Sequence, residues 1–360
     1  MNRLITVMEN VIVYQESGRF GGWPANHGIW SWGDEILVGF ERAYYQANDK
    51  GHSIIPNKPS EPGLARSLDG GETWQLEDPG GLACGFENPV SCSEEVHFDH
   101  PDFAMKCGGS GFFISYDRGN SWQGPYQIPD FGKKLTSRTD YLVQGPKDCL
   151  FFLSAFEPKV QAGIQDRAFC VRTRDGAQTF EFLSWMTGEP IAIRSVMPST
   201  VQGSKGQLIS VMRRRHDNHK EDRINSQCWI DVYHSQDTGR SWHFLSKVAD
   251  TGDWNGNPPS LVRLKDGRLC VAYGYRRTPF GIQARLSHDD GRSWGEEIIL
   301  RDDGRSWDLG YPRMVQRLDG KLVTIYYFTT DHNPEQHITA TIWDPGLSPV
   351  KTELGNLQKE

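Results

Sequence analysis

The sequence predicts an all-β protein: a six-bladed β-propeller of four-stranded antiparallel blades, closed by its N-terminal strand. Three observations carry this expectation. An octapeptide recurs five times, a strand–turn–strand unit recurs six times, and the composition combines turn formers with aromatics (38 Gly, 20 Pro, 11% aromatic). Gly and Pro set turn geometry, while aromatic side chains favour pleated, half-buried surfaces.

The octapeptide is Ser-x-Asp-x-Gly-x-Ser/Thr-Trp, an Asp box. It occurs as SLDGGETW at 67–74, SYDRGNSW at 115–122, SQDTGRSW at 235–242 and SHDDGRSW at 287–294, with a weaker copy, TRDGAQTF, at 173–180. Its Asp accepts hydrogen bonds from turn amides, its Gly permits positive φ, and its aromatic packs between sheets. One copy is weak evidence, but five at spacings of about fifty residues mark a repeat architecture. The strand–turn–strand unit appears as WSWGDEILVGF, YLVQGPKDCLFFL, STVQGSKGQLISVM, SLVRLKDGRLCVAY and MVQRLDGKLVTIYY, with HPDFAMKCGGSGFFISYD as an irregular second copy. Each unit reads as A strand, hairpin, B strand, C strand, Asp box and D strand.

The last unit has HITATIWD as its C strand but no box after it, so ENVIVYQES from the N-terminus supplies the missing strand and closes the ring. Seven blades is the alternative, if the connections at 179–196 or 243–257 hide strands. Residues 1–360 read as one domain, without a long helix or a low-complexity run. The segments 46–62 and 215–227 are surface excursions between B and C strands.

A net charge of -7 and a pI of about 5.9 provide no basic patch, which argues against nucleic acid as a partner. No stretch approaches the ~20 apolar residues of a membrane helix, so no membrane association is expected. The seven cysteines are odd in number and lack C-x-x-C spacing, which suits buried thiols in a reducing compartment. The start MNRLITVMENVIVYQ is interrupted by Glu9 and Asn10 and has no cleavage site, leaving a cytoplasmic protein or a trimmed exported form as the two readings. Neither a metal nor another cofactor is expected.

Strand polarity sorts the candidate residues. In an up-and-down blade the start of A, the end of B and the start of C share one face, the mouth, while the A–B hairpin and the Asp box lie on the other. At the A starts stand Asn26 and His27; His100 and Asp102; Arg138, Thr139 and Asp140; Met197 and Pro198; Asn257; Tyr311 and Arg313. At the B ends stand Arg42, Tyr44, Arg213, Arg214, Arg215, Tyr275 and Arg276. Polar and cationic side chains converging there suit an anionic, hydroxyl-rich ligand, and Arg is the natural clamp for a carboxylate. The substrate-binding set is therefore Asn26, Arg42, His100, Arg138, Asp140, Arg213, Asn257, Arg276 and Arg313. His27, in GGWPANHGIW, is the candidate acid/base, against the alternative of a histidine bonded into the channel wall. Tyr311, Tyr275 and Tyr44 can each serve as proton donor, against a packing role, and Tyr311 is taken as the catalytic candidate. His100, in HFDHPDF, is a second acid/base group or a metal ligand, against the alternative of a structural turn histidine; no H-E-x-x-H or tight ligand pair accompanies it.

The Asp boxes and blade pattern resemble the sialidase superfamily over nearly the whole chain. The Arg-Ile-Pro signature of an exo-sialidase is absent: the corresponding stretch is GRFGGWPANHG. The segments RFGGWPANHGIWSWGDEILVGF, NPPSLVRLKDGRLCVAYGYR and DLGYPRMVQRLDGKLVTIYY look more like propeller enzymes acting on uronate-containing glycans: rhamnosyl-glucuronate α-L-rhamnosidases, rhamnosyl-glucuronate lyases and, more distantly, ulvan lyases. That resemblance implies a central histidine, matched here by His27, although those enzymes are described with seven blades. It implies cleavage of a glycosidic bond beside a carboxylate-bearing sugar in an acidic oligo- or polysaccharide, by hydrolysis or β-elimination. An exo-sialidase and a non-catalytic glycan-binding propeller are the alternatives.

Overall fold

The computed structural model describes residues 8–136, 140–156, 166–188, 193–216 and 226–346. They form six antiparallel sheets arranged as the blades of a propeller. The long connections at 179–196 and 243–257 hold the fourth strands of blades 3 and 4, Glu181–Trp185 and His243–Gly252, and no seventh blade. Ring closure follows the sequence expectation. Met8–Tyr14 pairs antiparallel with His337–Trp343, from Met8 opposite Trp343 to Tyr14 opposite Ile338.

Strands at the heart of a blade are sandwiched between neighbouring blades, so they are buried on both faces. Leu322–Phe328 is buried at every position, and Asp148–Phe156 at all but its two ends. Five of the seven cysteines lie in this interior and all seven are free. Among the described residues no helix is long and apolar enough to cross a membrane.

The Asp boxes close the C–D turns as their composition requires. In the first, Asp69 accepts the Thr73 amide at 2.9 Å and its hydroxyl at 2.6 Å, the Ser67 hydroxyl donates to Asp69 at 2.8 Å, and the Trp74 indole caps the Gly71 carbonyl at 2.9 Å. The fifth box position is left-handed throughout: Gly71, Gly119, Gly239 and Gly291 take φ of 82–96°, and the weak copy places Ala177 there at φ 65°.

Two departures matter for the site. The A strands are kinked near the axis. In blade 1, Arg19–Gly22 and Ile29–Trp32 flank a 3-10 turn at Pro24–Asn26, and bulges interrupt the register between Val196 and Ser199 in blade 4 and between Gly310 and Arg313 in blade 6. Blade 2 has only three strands, Ala104–Gly108, Gly111–Ser115 and Gln123–Gln127. Its Asp box joins the last two, so Ala104–Gly108 is a B strand rather than the A strand expected from the sequence. Residues preceding a B strand lie on the Asp-box face, opposite the mouth.

Candidate active site at the propeller mouth

Left-handed backbone at non-glycine residues recurs at the mouth as well as in the Asp boxes, where Arg118, Thr238 and Asp290 adopt it. Trp23, Met197, Trp254, Asn255 and Tyr311, in the kinks or lead-ins of A strands, have left-handed φ of 51–73°. An L side chain in this region costs about 1–2 kcal/mol, a strain that concentrates where geometry serves function. In blade 5 three consecutive residues, Trp254, Asn255 and Gly256, are left-handed.

Two arginines at B-strand ends dominate this face. Arg213 is 1% exposed; its Nη1 donates to the Tyr311 hydroxyl at 3.3 Å and its Nη2 to the Asn255 carbonyl. Burial lowers its pKa to about 10, the Tyr311 hydroxyl opposes that, and the charges of Arg194 and Arg276 reinforce it. Arg276, also 1% exposed, donates to the carbonyls of Trp254 (3.1 Å) and Leu309 (2.9 Å) and to the Tyr327 hydroxyl (3.0 Å). Among the described residues no carboxylate lies within ion-pair distance of either guanidinium. Two other cations expected here have one: Arg214 faces Asp231 at 3.2 Å, and Arg42 donates to Glu61 at 3.1 Å, on the opposite side of its strand from the inward-facing Glu41.

Across the mouth, Arg313 donates to the Ala25 carbonyl at 2.8 Å. Burial raises the Asp140 carboxyl to about 8, against the pull of the Arg313 charge and Thr200 hydrogen bonds, so this acid is largely neutral at pH 7. His27 is 2% exposed, with Nε2 3.8 Å from a Glu41 carboxylate oxygen. Burial acts to raise the Glu41 pKa, but the approach of His27, the Ser60 side chain and the Lys106 charge bring it below the usual range. A Cβ at Gly39 would stand 2.8 Å from that of His27, so the B strand needs glycine to pass the histidine. Beside it, the buried Asn26 Oδ1 has no hydrogen-bond partner among the described residues.

Asn257 braces the wall rather than facing the channel. It is fully buried, with Oδ1 accepting the amides of Tyr311 (2.8 Å) and Gly274 (3.3 Å) and Nδ2 donating to Leu309 O (2.9 Å). Tyr311 is buried beside Arg213 and Tyr327. His100 is not part of this group. Its Nδ1 accepts the Asp102 amide at 3.2 Å, and Asp102 pairs with Arg118 of the second Asp box, which places the histidine on the opposite face. This corrects the sequence expectation, and its cause is the missing A strand of blade 2. Arg138 lies outside the described residues.

The model of a BNR repeat-like domain matches residues 102–324, well over half the chain. The chain belongs to the BNR repeat-like domain family. No curated protein matches it. Among solved structures, a protein of unknown function from Dyadobacter fermentans shares 20% identity at a TM-score of 0.69, over 95% of this chain and 98% of that one. The Penicillium chrysogenum alpha-L-arabinanase, complexed with arabinobiose, shares 14% at 0.59 over the same proportions. The Hadza microbial sialidase Hz136 shares 15% at 0.59, over 91% of this chain and 66% of that one. At these identities the likeness establishes a common fold.

Several residues of this BNR repeat-like mouth escape a reading of the sequence. Glu41 hides beside Arg42, and only strand alternation tells which of the two points inward. His52 sits in the 46–62 excursion, and its Nδ1 meets Asp308 Oδ1 at 2.6 Å across 256 residues of sequence. Asp308 is 1% exposed and also accepts from the Tyr327 hydroxyl (2.8 Å) and the Ser53 amide (3.1 Å). Trp254 and Trp307 stack with centroids 4.9 Å apart and planes 4° from parallel.

Proposed function

We propose that this propeller cleaves a glycosidic bond beside a carboxylate-bearing sugar, such as the uronate of a rhamnosyl-glucuronate chain, and that the sugar binds at the mouth. The observation that carries this is the pair of buried guanidinium groups, Arg213 and Arg276, without a carboxylate partner among the described residues. A buried cation is costly unless an anion compensates it. A substrate carboxylate would supply that compensation, with Arg313 as a third cation of the same mouth.

The rest of the constellation follows from this anchor. His27, oriented by Glu41, and the Tyr311 hydroxyl are the proton-handling groups, and Asn26 and the neutral Asp140 offer polar contacts to hydroxyls. In hydrolysis the histidine assists proton transfer or water attack while the arginines hold the neighbouring carboxylate. In β-elimination the arginines neutralise the carboxylate, making the C5 proton more acidic, and His27 with Tyr311 shuttles protons. The resemblance to uronate-acting propellers and the shared fold of glycosidases support this reading.

The test is a screen against rhamnosyl-glucuronate oligosaccharides, ulvan fragments and a sialoside, read by reducing-sugar release and by absorbance of an unsaturated uronate. Free rhamnose without absorbance identifies a hydrolase, and absorbance identifies a lyase. Sialic acid release would replace the proposal with an exo-sialidase, and binding without turnover would replace it with a glycan-binding module. Replacing His27 by Ala is expected to abolish turnover while leaving affinity in place. Arg213→Met is expected to weaken uronate binding about tenfold or more.

A further inference from the structure

The two buried arginines, Arg213 and Arg276, also hold a wall of aromatic rings. Arg213 donates to the carbonyl of Asn255, and Arg276 donates to that of Trp254 at 3.1 Å. These carbonyls belong to the left-handed run Trp254–Asn255–Gly256, whose φ values of 52°, 73° and 63° turn the Trp254 side chain onto Trp307. Arg194 and Arg215 bind the Asn255 side chain, so the turn is fixed from several sides. The two indoles are only half-buried, and Arg276 lies 5.3 Å from the Trp307 ring centre. The Trp307 Nε1 donates to the Asp49 carbonyl at 3.2 Å, tying the wall to the loop that carries His52.

His52 completes the surface. Its ring packs 5.6 Å from Trp307 and edge-on at 4.9 Å to Trp23. The buried Asp308 takes Nδ1, so that nitrogen carries the proton, and Nε2 has no partner among the described residues. Rigid, parallel indoles match the C–H face of a pyranose ring, and an oriented imidazole nitrogen matches one of its hydroxyls.

We propose that Trp254, Trp307 and His52 form a sugar-binding subsite contiguous with Arg213 and Arg276, which takes the neutral pyranose adjoining the anionic sugar. This rests on the reading of a carboxylate-bearing sugar at those arginines. The subsite gives the mouth a preference for an oligosaccharide over a free uronate.

Calorimetric titration with D-glucuronate and with an S-linked rhamnosyl-glucuronate disaccharide, which is bound but not cleaved, tests it. Trp307→Ala is expected to weaken the disaccharide about tenfold or more and to leave glucuronate within about twofold, while Trp307→Phe retains most of the affinity. His52→Ala alters a loop residue and serves as the second variant should Trp307→Ala fail to fold; it is expected to lose about fivefold on the disaccharide alone. Unchanged disaccharide affinity, or an equal loss on both ligands, overturns the subsite. If the wild type binds arabinobiose and neither uronate ligand, the anionic reading falls. Trp307→Ala is then judged on arabinobiose, where a loss supports the wall and none overturns it. Binding of none of the three overturns both.

Discussion

At the scale of single residues, the mouth is built from polar groups whose roles are set by their partners. Asn257 holds two backbone amides and one carbonyl without touching solvent, so Asn257→Ala takes the buried acceptor from the Tyr311 and Gly274 amides, while the Leu309 carbonyl keeps its bonds from Arg276. Denaturant unfolding is expected to show a loss of about 2–4 kcal/mol, with impaired binding because Tyr311 loses its anchor. Asp140 makes a prediction of opposite character. Its folded pKa, about 8, exceeds the ordinary aspartate value of 3.8, so the native state holds a proton that the unfolded chain has released. That contribution to stability is complete below pH 3.8 and declines as pH rises towards 8. Asp140→Asn removes the decline, so the variant's melting temperature should gain on the wild type steadily between about pH 4 and 8. Parallel pH profiles for the two proteins would show that Asp140 is ionised in the folded state.

At the scale of elements, the Asp box is a turn that fixes residue types at fixed offsets, which is why the blades were legible in the sequence. Burial works to raise the Asp69 carboxyl, yet hydrogen bonds from Thr73 and Ser67 outweigh it and bring the pKa to about 2; Asp237 reaches about 2 in the same way through Ser241 and Ser235. A depressed folded pKa stabilises above the unfolded value and is lost as pH falls from about 4 to 2. Asp69→Asn is therefore expected to lower stability at neutral pH and to flatten the acid limb of the unfolding profile. The box glycine is just as constrained. A Cβ at Gly119, where φ is 82°, would meet Leu37 Cδ2 at 2.3 Å. Left-handed strain and overpacking together predict a loss of about 2–4 kcal/mol for Gly119→Ala in chemical denaturation. Blade 2 was misread at this same scale. Its box was plain, but residues 78–103 replace an A strand with an irregular path, and strand polarity assigned to a strand that is not there carried His100 to the wrong face.

At the scale of the whole molecule, periodicity made the ring and its closure legible, because each blade repeats one local pattern. The site was legible only in part. Strand polarity brought His27, Arg213, Arg276, Tyr311 and Arg313 towards one end of the axis, but contacts such as His52 with Asp308, or Arg213 with Asn255, cross from one blade to its neighbour between irregular segments and leave no periodic trace. The geometry of that mouth depends on the ring staying shut, since blade 1 supplies His27, Glu41 and His52 while blade 6 supplies Tyr311 and Arg313. These two blades are joined where Met8–Tyr14 borders His337–Trp343, and Val13 and Tyr14 pack into the same apolar cluster as Phe40 and Ile338. Removing residues 1–14 deletes that seam, strips two buried side chains from the cluster and leaves His337–Trp343 as an unpaired edge. Burial of the two side chains alone accounts for roughly 3–6 kcal/mol, so the truncated chain should melt well below the full one. It should also associate through the open edge, as seen by size-exclusion chromatography, and lose ligand affinity at the mouth. A truncated chain that stayed monomeric and bound as before would mean that packing between the other blades, rather than the closing strand, holds the funnel in shape.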